Sequence, residues 1–118
     1  MGKVEGKGDQ WHGHVTAVTV APEARRLGLA KNLMGILEGV TDKVHHGYFV
    51  DLFVRQSNEA GLAMYNSLGY IKYRRILGYY HDRNSKEDAF DMHKAMSRDT
   101  EKKSMIAIKR PVREDEID

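Results

Sequence analysis

No cysteine occurs among the 118 residues, which excludes a disulfide framework and any acyl transfer through a cysteine thioester. A transfer reaction on this chain would run directly between its substrates or through a weaker nucleophile. A long apolar run is also missing, so no transmembrane helix is expected, and the N-terminal "MGKVEGKGDQ" has no apolar core of the kind a secretory signal needs. A reducing, cytosolic setting fits these absences. An excess of one charge is missing too: 19 basic against 17 acidic residues leave +2, too little for the broad positive field of a nucleic-acid binder. Neither G-x-G-x-x-G nor a Walker loop is present, which removes the Rossmann and P-loop classes.

What is present suits one soluble domain: 41% hydrophobic and 31% charged residues over a length that supports a single core. Gly2, Gly6 and Gly8 among charges read as a turn or hairpin connection, with order beginning near Trp11. "WHGHVTAVTV" is β-rich, with His14, Thr16, Val18 and Val20 on one face and Val15, Ala17 and Thr19 on the other, as in a strand covered on both sides. From Leu27, the spacing of Leu29, Leu33, Leu37 and Val40 predicts a helix that "TDKVHHG" ends. "YFVDLFV" reads as a buried parallel strand. Ser57 or Asn58 caps a second helix through "EAGLAMYNSL", and Gly69 stops it. "YIKYRRILGYY" is a strand with a bulge or turn at Gly78, and "AFDMHKAM" is a strand or a short helix. The domain thus spans 1–97, and the charged tail 98–118 is expected to be mostly disordered or a docking segment. The order strand, helix, strand, helix, strand predicts an α/β fold with a parallel crossover.

Two constellations carry chemistry. In "EARRLGLAKNLM", Arg25, Gly28 and Ala30 form R-x-x-G-x-A, placing positive charge, a close-approach glycine and free amides at a helix start, where a pyrophosphate binds well. The plainer reading is a surface loop with two solvated arginines. In "RQSNEAGLAMYNSLGY", Asn58 and Tyr65 lie two turns apart on one helix, so an amide and a phenol share a face; the plainer reading makes Tyr65 the edge of the core. His14 is either a proton acceptor or a structural strand histidine. A zinc site from His12, His14, His45 and His46 finds no carboxylate or cysteine at ligand-like spacing, so no metal is expected and these histidines read as surface residues.

Together and in this order, the two constellations resemble the GNAT superfamily of acetyl-CoA-dependent N-acetyltransferases. "WHGHVTAVTVAPEARRLGLAKNLM", "FVDLFVRQSNEAGLAMYNSLGY" and "DMHKAMSRDTEKKS" are similar to the catalytic subunits of NatB-type N-terminal acetyltransferases over nearly the whole chain. The resemblance implies a GNAT fold, a mixed sheet flanked by helices, lacking the family's N-terminal part. It implies acetyl transfer from acetyl-CoA to Met-Asp, Met-Glu, Met-Asn or Met-Gln N-termini, and an auxiliary subunit that anchors the pair to ribosomes. Carried over, Arg25, Arg26, Leu27, Gly28, Leu29 and Ala30 would hold the pyrophosphate, with backbone groups of Ala17, Val18 and Val20 along the pantetheine arm. Asn58 would contact the cofactor, and Tyr65 would be the acid for the leaving thiolate. His14 and Thr16 would border the substrate methionine, His14 taking a proton directly or through water, and Tyr79 and Tyr80 would hold the substrate backbone. Where the family has Arg, this chain has His93, which puts a C-terminal contact in question. The missing strands would leave an unpaired edge beside "HVTAVTV". The alternatives are a non-catalytic form that binds acetyl-CoA or the auxiliary subunit, and a GNAT acting on lysine or a small amine.

Overall fold

Short runs rich in Val, Phe, Ile and Tyr become the strands of one mixed sheet in a computed structural model that describes residues 2–15, 24–81 and 83–117, with the backbone alone at 24–27. Among the described residues these are β1 (Gly2–Glu5), β2 (His12–Val15), β3 (Phe49–Arg55), β4 (Ile71–His81), β5 (Lys86–Ala95) and β6 (Val112–Arg113), in the order β1-β2-β3-β5-β4-β6. Strands β2 and β3 run parallel across the crossover helix α1 (Ala24–Gly39), as expected, and the remaining pairs are antiparallel except β4 with β6. "AFDMHKAM" is therefore strand. Gly78, at φ 59°, marks a bulge where the pairing of β4 with β5 shifts between Ile76 and Tyr80.

Order begins well before Trp11. Gly2–Glu5 pairs with β2, Gly2 opposite Val15 and Glu5 opposite His12, so β1 covers the edge expected to be bare. The turn chemistry lies after it, at Gly6 (φ 98°) and Gly8 (φ 58°), in a backbone region that L side chains resist.

Both helices pack on one face of the sheet. Ala30 and Met34 of α1, and Leu62, Met64 and Tyr65 of α2 (Glu59–Ser67), bury against Val15, Val50, Leu52, Val54 and Met92. The inner stripe of α1 is Ala30, Met34, Leu37 and then Thr41, whereas Leu29, Ile36 and Val40 are exposed; the expected Leu29–Val40 stripe is rotated by one residue. Thr41 explains the rotation. It sits in a π-helical turn (Val40–Val44) that extends α1, its hydroxyl donates to Leu37 O at 3.0 Å, and a Cβ on Gly13 would lie 2.2 Å from its Oγ1. A Cβ on Gly47 would lie 2.6 Å from its Cγ2. Two glycines thus let β2 and the start of β3 close on one threonine. Asn58 caps α2, its Oδ1 accepting from Gly61 N at 2.9 Å, and Gly69 ends the helix at φ 100°.

The segment from Arg98 is not disordered over the described residues. Asp99 accepts from the backbone N–H groups of Lys103 and Ser104 at 3.0 Å each, Ile108 N donates to Tyr73 O at 2.7 Å, and β6 pairs with β4 at Ile76 and Leu77. Its charges make turns, and two of its apolar residues, Val112 and Ile117, pack with Ile76 and Ala89, whereas Ile106 and Ile108 are exposed. Net charge and low apolar content hid this, because local side-chain caps rather than a broad core order the segment.

Gly13→Ala is expected to destabilise the fold by about 1–3 kcal/mol through overpacking on Thr41. Gly35→Ala, at a helical position where a Cβ meets nothing within 4 Å, should stabilise it by roughly 0.5–1 kcal/mol. Urea midpoints at constant slope check both.

Candidate active site

Period-two alternation sends alternate residues of β2, β3 and β5 to the sheet face opposite the helices. His14 stands opposite Asp51, which stands opposite His93, and two residues along each strand bring His12, Phe49, Phe53 and Asp91 to the same face. The result is a buried polar layer. His12 and His14 are 6% and 7% exposed and Asp51 is 4%, so the reading of these two histidines as surface residues is corrected; His45 and His46 are exposed as expected. Their cover is partly local and partly distant in sequence: Glu5 and Gln10, with Arg74 and Ile117, line the small cleft above His12 and Asp51.

The hydrogen bonds assign the protons. Gln10 O lies 2.5 Å from His12 Nδ1, and a carbonyl only accepts, so Nδ1 carries hydrogen. His12 Nε2 faces two further acceptors, Asp51 Oδ1 at 3.4 Å and Glu5 Oε1 at 3.5 Å. Burial opposes charge on His12, but the hydrogen bond and charge of Asp51, with Gln10 and Glu5, hold its pKa above the ordinary value. His14 Nδ1 donates to Asp51 Oδ1 at 2.6 Å. Burial also opposes ionisation of Asp51, yet hydrogen bonds from His12 and His14 and their charges hold its carboxyl well below the usual range. On β5, burial pushes the Asp91 carboxyl up, while Arg74 Nε donates to its Oδ2 at 2.9 Å. Asp91 Oδ1 and His93 Nε2 lie 3.1 Å apart with no other partner among the described residues.

Two rows of rings flank the carboxylates. His12, Phe49, His93 and Tyr73 stack across β2, β3, β5 and β4 with centroids 4.4, 4.4 and 3.8 Å apart. His14, Phe53, Tyr79 and Tyr80 form an edge-to-face row at 4.9, 4.8 and 5.1 Å. Tyr79 and Tyr80 thereby join His14 through Phe53, and the Tyr80 hydroxyl donates to Phe53 O at 3.3 Å. His93 keeps the C-terminal contact that an Arg was expected to make, donating through Nδ1 to Ser104 O at 2.9 Å.

The remaining expected positions distribute as follows. Thr16, Ala17, Val18 and Val20 lie outside the described residues. Arg25, Arg26 and Leu27 occupy the first turn of α1, where Gly28 and Leu29 are exposed and Ala30 is fully buried. Asn58 and Tyr65 share α2 but not surroundings: the Asn58 oxygen is committed to the cap, whereas Tyr65 is 5% exposed and edge-on to Tyr70 at 6.0 Å. Burial raises the Tyr65 pKa. Sequence reasoning missed Asp51, Glu5 and Asp91; the one available signal was a lone carboxylate inside the otherwise apolar "YFVDLFV". Glu5 with His12 and His14, and Asp51 with Asp91 and His93, each present three potential metal donors within 4.8 Å, but every one of these side chains already has a partner in the layer: His12 with Glu5 and Asp51, His14 with Asp51, and His93 with Asp91.

Residues 1–70 match the acetyltransferase (GNAT) family. The chain is 60% identical over its whole length to the N-terminal acetyltransferase B complex catalytic subunit NAA20 of Arabidopsis thaliana, spanning 66% of that relative's length. In structure it is similar to Chaetomium thermophilum Naa20 in complex with a bisubstrate analogue, with a TM-score of 0.82 at 42% identity over 96% of this chain and 67% of that one. The NatB acetyltransferase complex bound to a bisubstrate inhibitor gives a TM-score of 0.80 at 38% identity over 100% of this chain and 68% of the matched one.

The His12 pKa is raised on folding, so its charged pairing contributes stability that is fully present below about pH 6.5 and lost as pH rises through the raised value. The Asp51 pKa is lowered, so its contribution persists at every pH above about 3.9 and is lost only on acidification. Urea midpoints should therefore fall between pH 6 and 9, and His12→Gln should flatten that slope.

Proposed function

The chain belongs to the acetyltransferase (GNAT) family, and on that premise we propose that it moves the acetyl group of acetyl-CoA to the α-amino group of proteins beginning Met-Asp, Met-Glu, Met-Asn or Met-Gln. The observation that carries the reading is 60% identity over the whole chain to an N-terminal acetyltransferase B catalytic subunit. The juxtaposition of His14 with Tyr79 and Tyr80 supports it, because a base and two phenols along one sheet face suit an extended peptide N-terminus.

Arg25, Arg26, Leu27, Gly28 and Leu29 hold the pyrophosphate at the start of α1, where a Cβ on Gly28 would meet nothing within 4 Å and a ligand can approach closely. Ala30 seats that helix on the core. Backbone groups of Ala17, Val18 and Val20 follow the pantetheine arm and polarise the thioester carbonyl, on which negative charge develops. Asn58 reaches the cofactor through Nδ2, since Oδ1 serves the cap. Thr16 and His14 border the substrate methionine.

A protein α-amino group has a pKa of about 8, so the ammonium proton leaves at modest cost near neutral pH. His14 takes it, directly or through water. The amine nitrogen then bonds to the carbonyl carbon, and the C–S bond breaks with its electron pair on sulfur. The thiolate takes a proton from Tyr65, and the surplus proton left on nitrogen returns to the Tyr65 phenolate, which leaves a neutral amide and a free thiol. Burial keeps that phenol protonated at working pH, as an acid requires. The partners are a NatB-type auxiliary subunit and nascent chains at the ribosome, in the cytoplasm; among the described residues no helix is long and apolar enough to cross a membrane.

Mass spectrometry of acetyl transfer to a Met-Asp peptide, with the auxiliary subunit present and a Ser-starting peptide as control, tests the reading. Selective acetylation is expected; binding of acetyl-CoA without transfer would leave a cofactor-binding module instead. Tyr65→Phe should lower kcat on the order of 100-fold with little change in acetyl-CoA affinity, and an unchanged kcat removes Tyr65 from the acid role.

A further inference from the structure

The acetyl-transfer reading asks one imidazole, His14, to accept a proton, yet leaves open which of its two nitrogens does so. The geometry around it decides. We propose that Asp51 is the positioning residue of the transfer reaction: it holds His14 in the tautomer protonated on Nδ1 and so presents Nε2 as the atom that takes the substrate's ammonium proton.

Asp51 is 4% exposed on a strand that is otherwise apolar up to its last residue, Arg55, and its Oδ1 is shared by two histidines. An ionised carboxylate only accepts, so the 2.6 Å contact places the hydrogen of His14 on Nδ1 and the lone pair on Nε2. His12 is held differently. Its two ring nitrogens face three acceptors, Gln10 O on one side and the carboxylates of Asp51 and Glu5 on the other, so it is the charged imidazole of the pair. Asp51 and Glu5 then set two negative charges beside the one positive charge of His12.

Among the described residues, the other groups facing this layer do not supply a competing partner. Lys3, opposite His14 in the pairing of β1 with β2, contacts Glu5 at 3.4 Å. Arg74 of β4 is taken by Asp91, and Asp91 by His93. The phenol of Tyr79 has its pKa raised, chiefly by burial, and stays neutral. Asp51 therefore acts through His14 and does not itself touch substrate.

The test has two arms with separable failures. Nitrogen-15 NMR of histidine-labelled chain, without acetyl-CoA, reports the His14 tautomer whether or not the chain transfers acetyl. Hydrogen on Nδ1 in the neutral ring is expected, and hydrogen on Nε2 would overturn the proposal even if no variant folds. In the second arm, Asp51→Asn is assayed with the auxiliary subunit over pH 5–9. The expected result is a kcat lowered by about 10- to 100-fold, the acidic limb of the profile moved to lower pH, an unchanged KM for acetyl-CoA, and no further loss when Asp51→Asn is added to His14→Ala. An unmoved acidic limb, or a loss that adds fully to that of His14→Ala, would make Asp51 merely structural and sink the idea. Absence of transfer by the wild type would count against the enzymatic reading alone, since the tautomer is read independently.

Discussion

A buried carboxylate shared by two imidazoles is the interaction on which the architecture turns. Asp51 lies in the middle of β3 at 4% exposure, where an unpaired charge would be costly. Its partners must therefore arrive in register. Parallel pairing sets His14 opposite Asp51, and His12 two residues away reaches the same oxygen. Antiparallel pairing of β1 then brings Glu5 opposite His12. A one-residue slip of β2 against β3 would turn the histidines to the helical face and leave Asp51 unpaired, and a slip of β1 against β2 would turn Glu5 away from His12. The Thr41 clamp on Gly13 and Gly47 works on the opposite side of the same two strands, so apolar packing and polar pairing enforce one register.

The sheet thus separates two chemistries. Its helical face is a conventional core of Val, Leu, Met and Tyr with α1 and α2, and the start of α1 carries the arginine and glycine motif. Its other face carries carboxylates and imidazoles between two aromatic rows. Rings restrict the imidazoles by stacking and leave their nitrogens to hydrogen-bond in the sheet plane or beyond it, which suits groups that must hold a defined proton. The C-terminal segment belongs to this second face, since Ser104 O receives His93 and Ile108 pairs with Tyr73. His93 makes that attachment and also puts its ring in the stack with Phe49 and Tyr73.

Several elements were legible in the sequence because their causes are local. The apolar run of β3, the Asn58 cap and the Gly69 stop each depend on a few adjacent residues, and all three stand as read. The inner stripe of α1 was off by one residue because periodicity gives a spacing but not a phase, and the phase came from Thr41 meeting Gly13, 28 residues away. The charged tail and the glycine-rich start read as loose because composition averages over positions. Their order rests on single hydrogen bonds and on pairing with β2 and β4.

For the site, the sequence by itself determined which residue types were available: two arginines and a glycine at a helix start, a phenol on α2, a histidine on a β-rich stretch and a tyrosine pair. These are properties of short segments, and short segments carry their own conformational preferences. Tertiary structure alone decided that His12 and His14 are buried, that Asp51 and Glu5 face them, and that Phe53 links His14 to Tyr79. Those contacts join strands separated by long stretches of chain, and a proton's location depends on the acceptor across the gap, which no local pattern encodes.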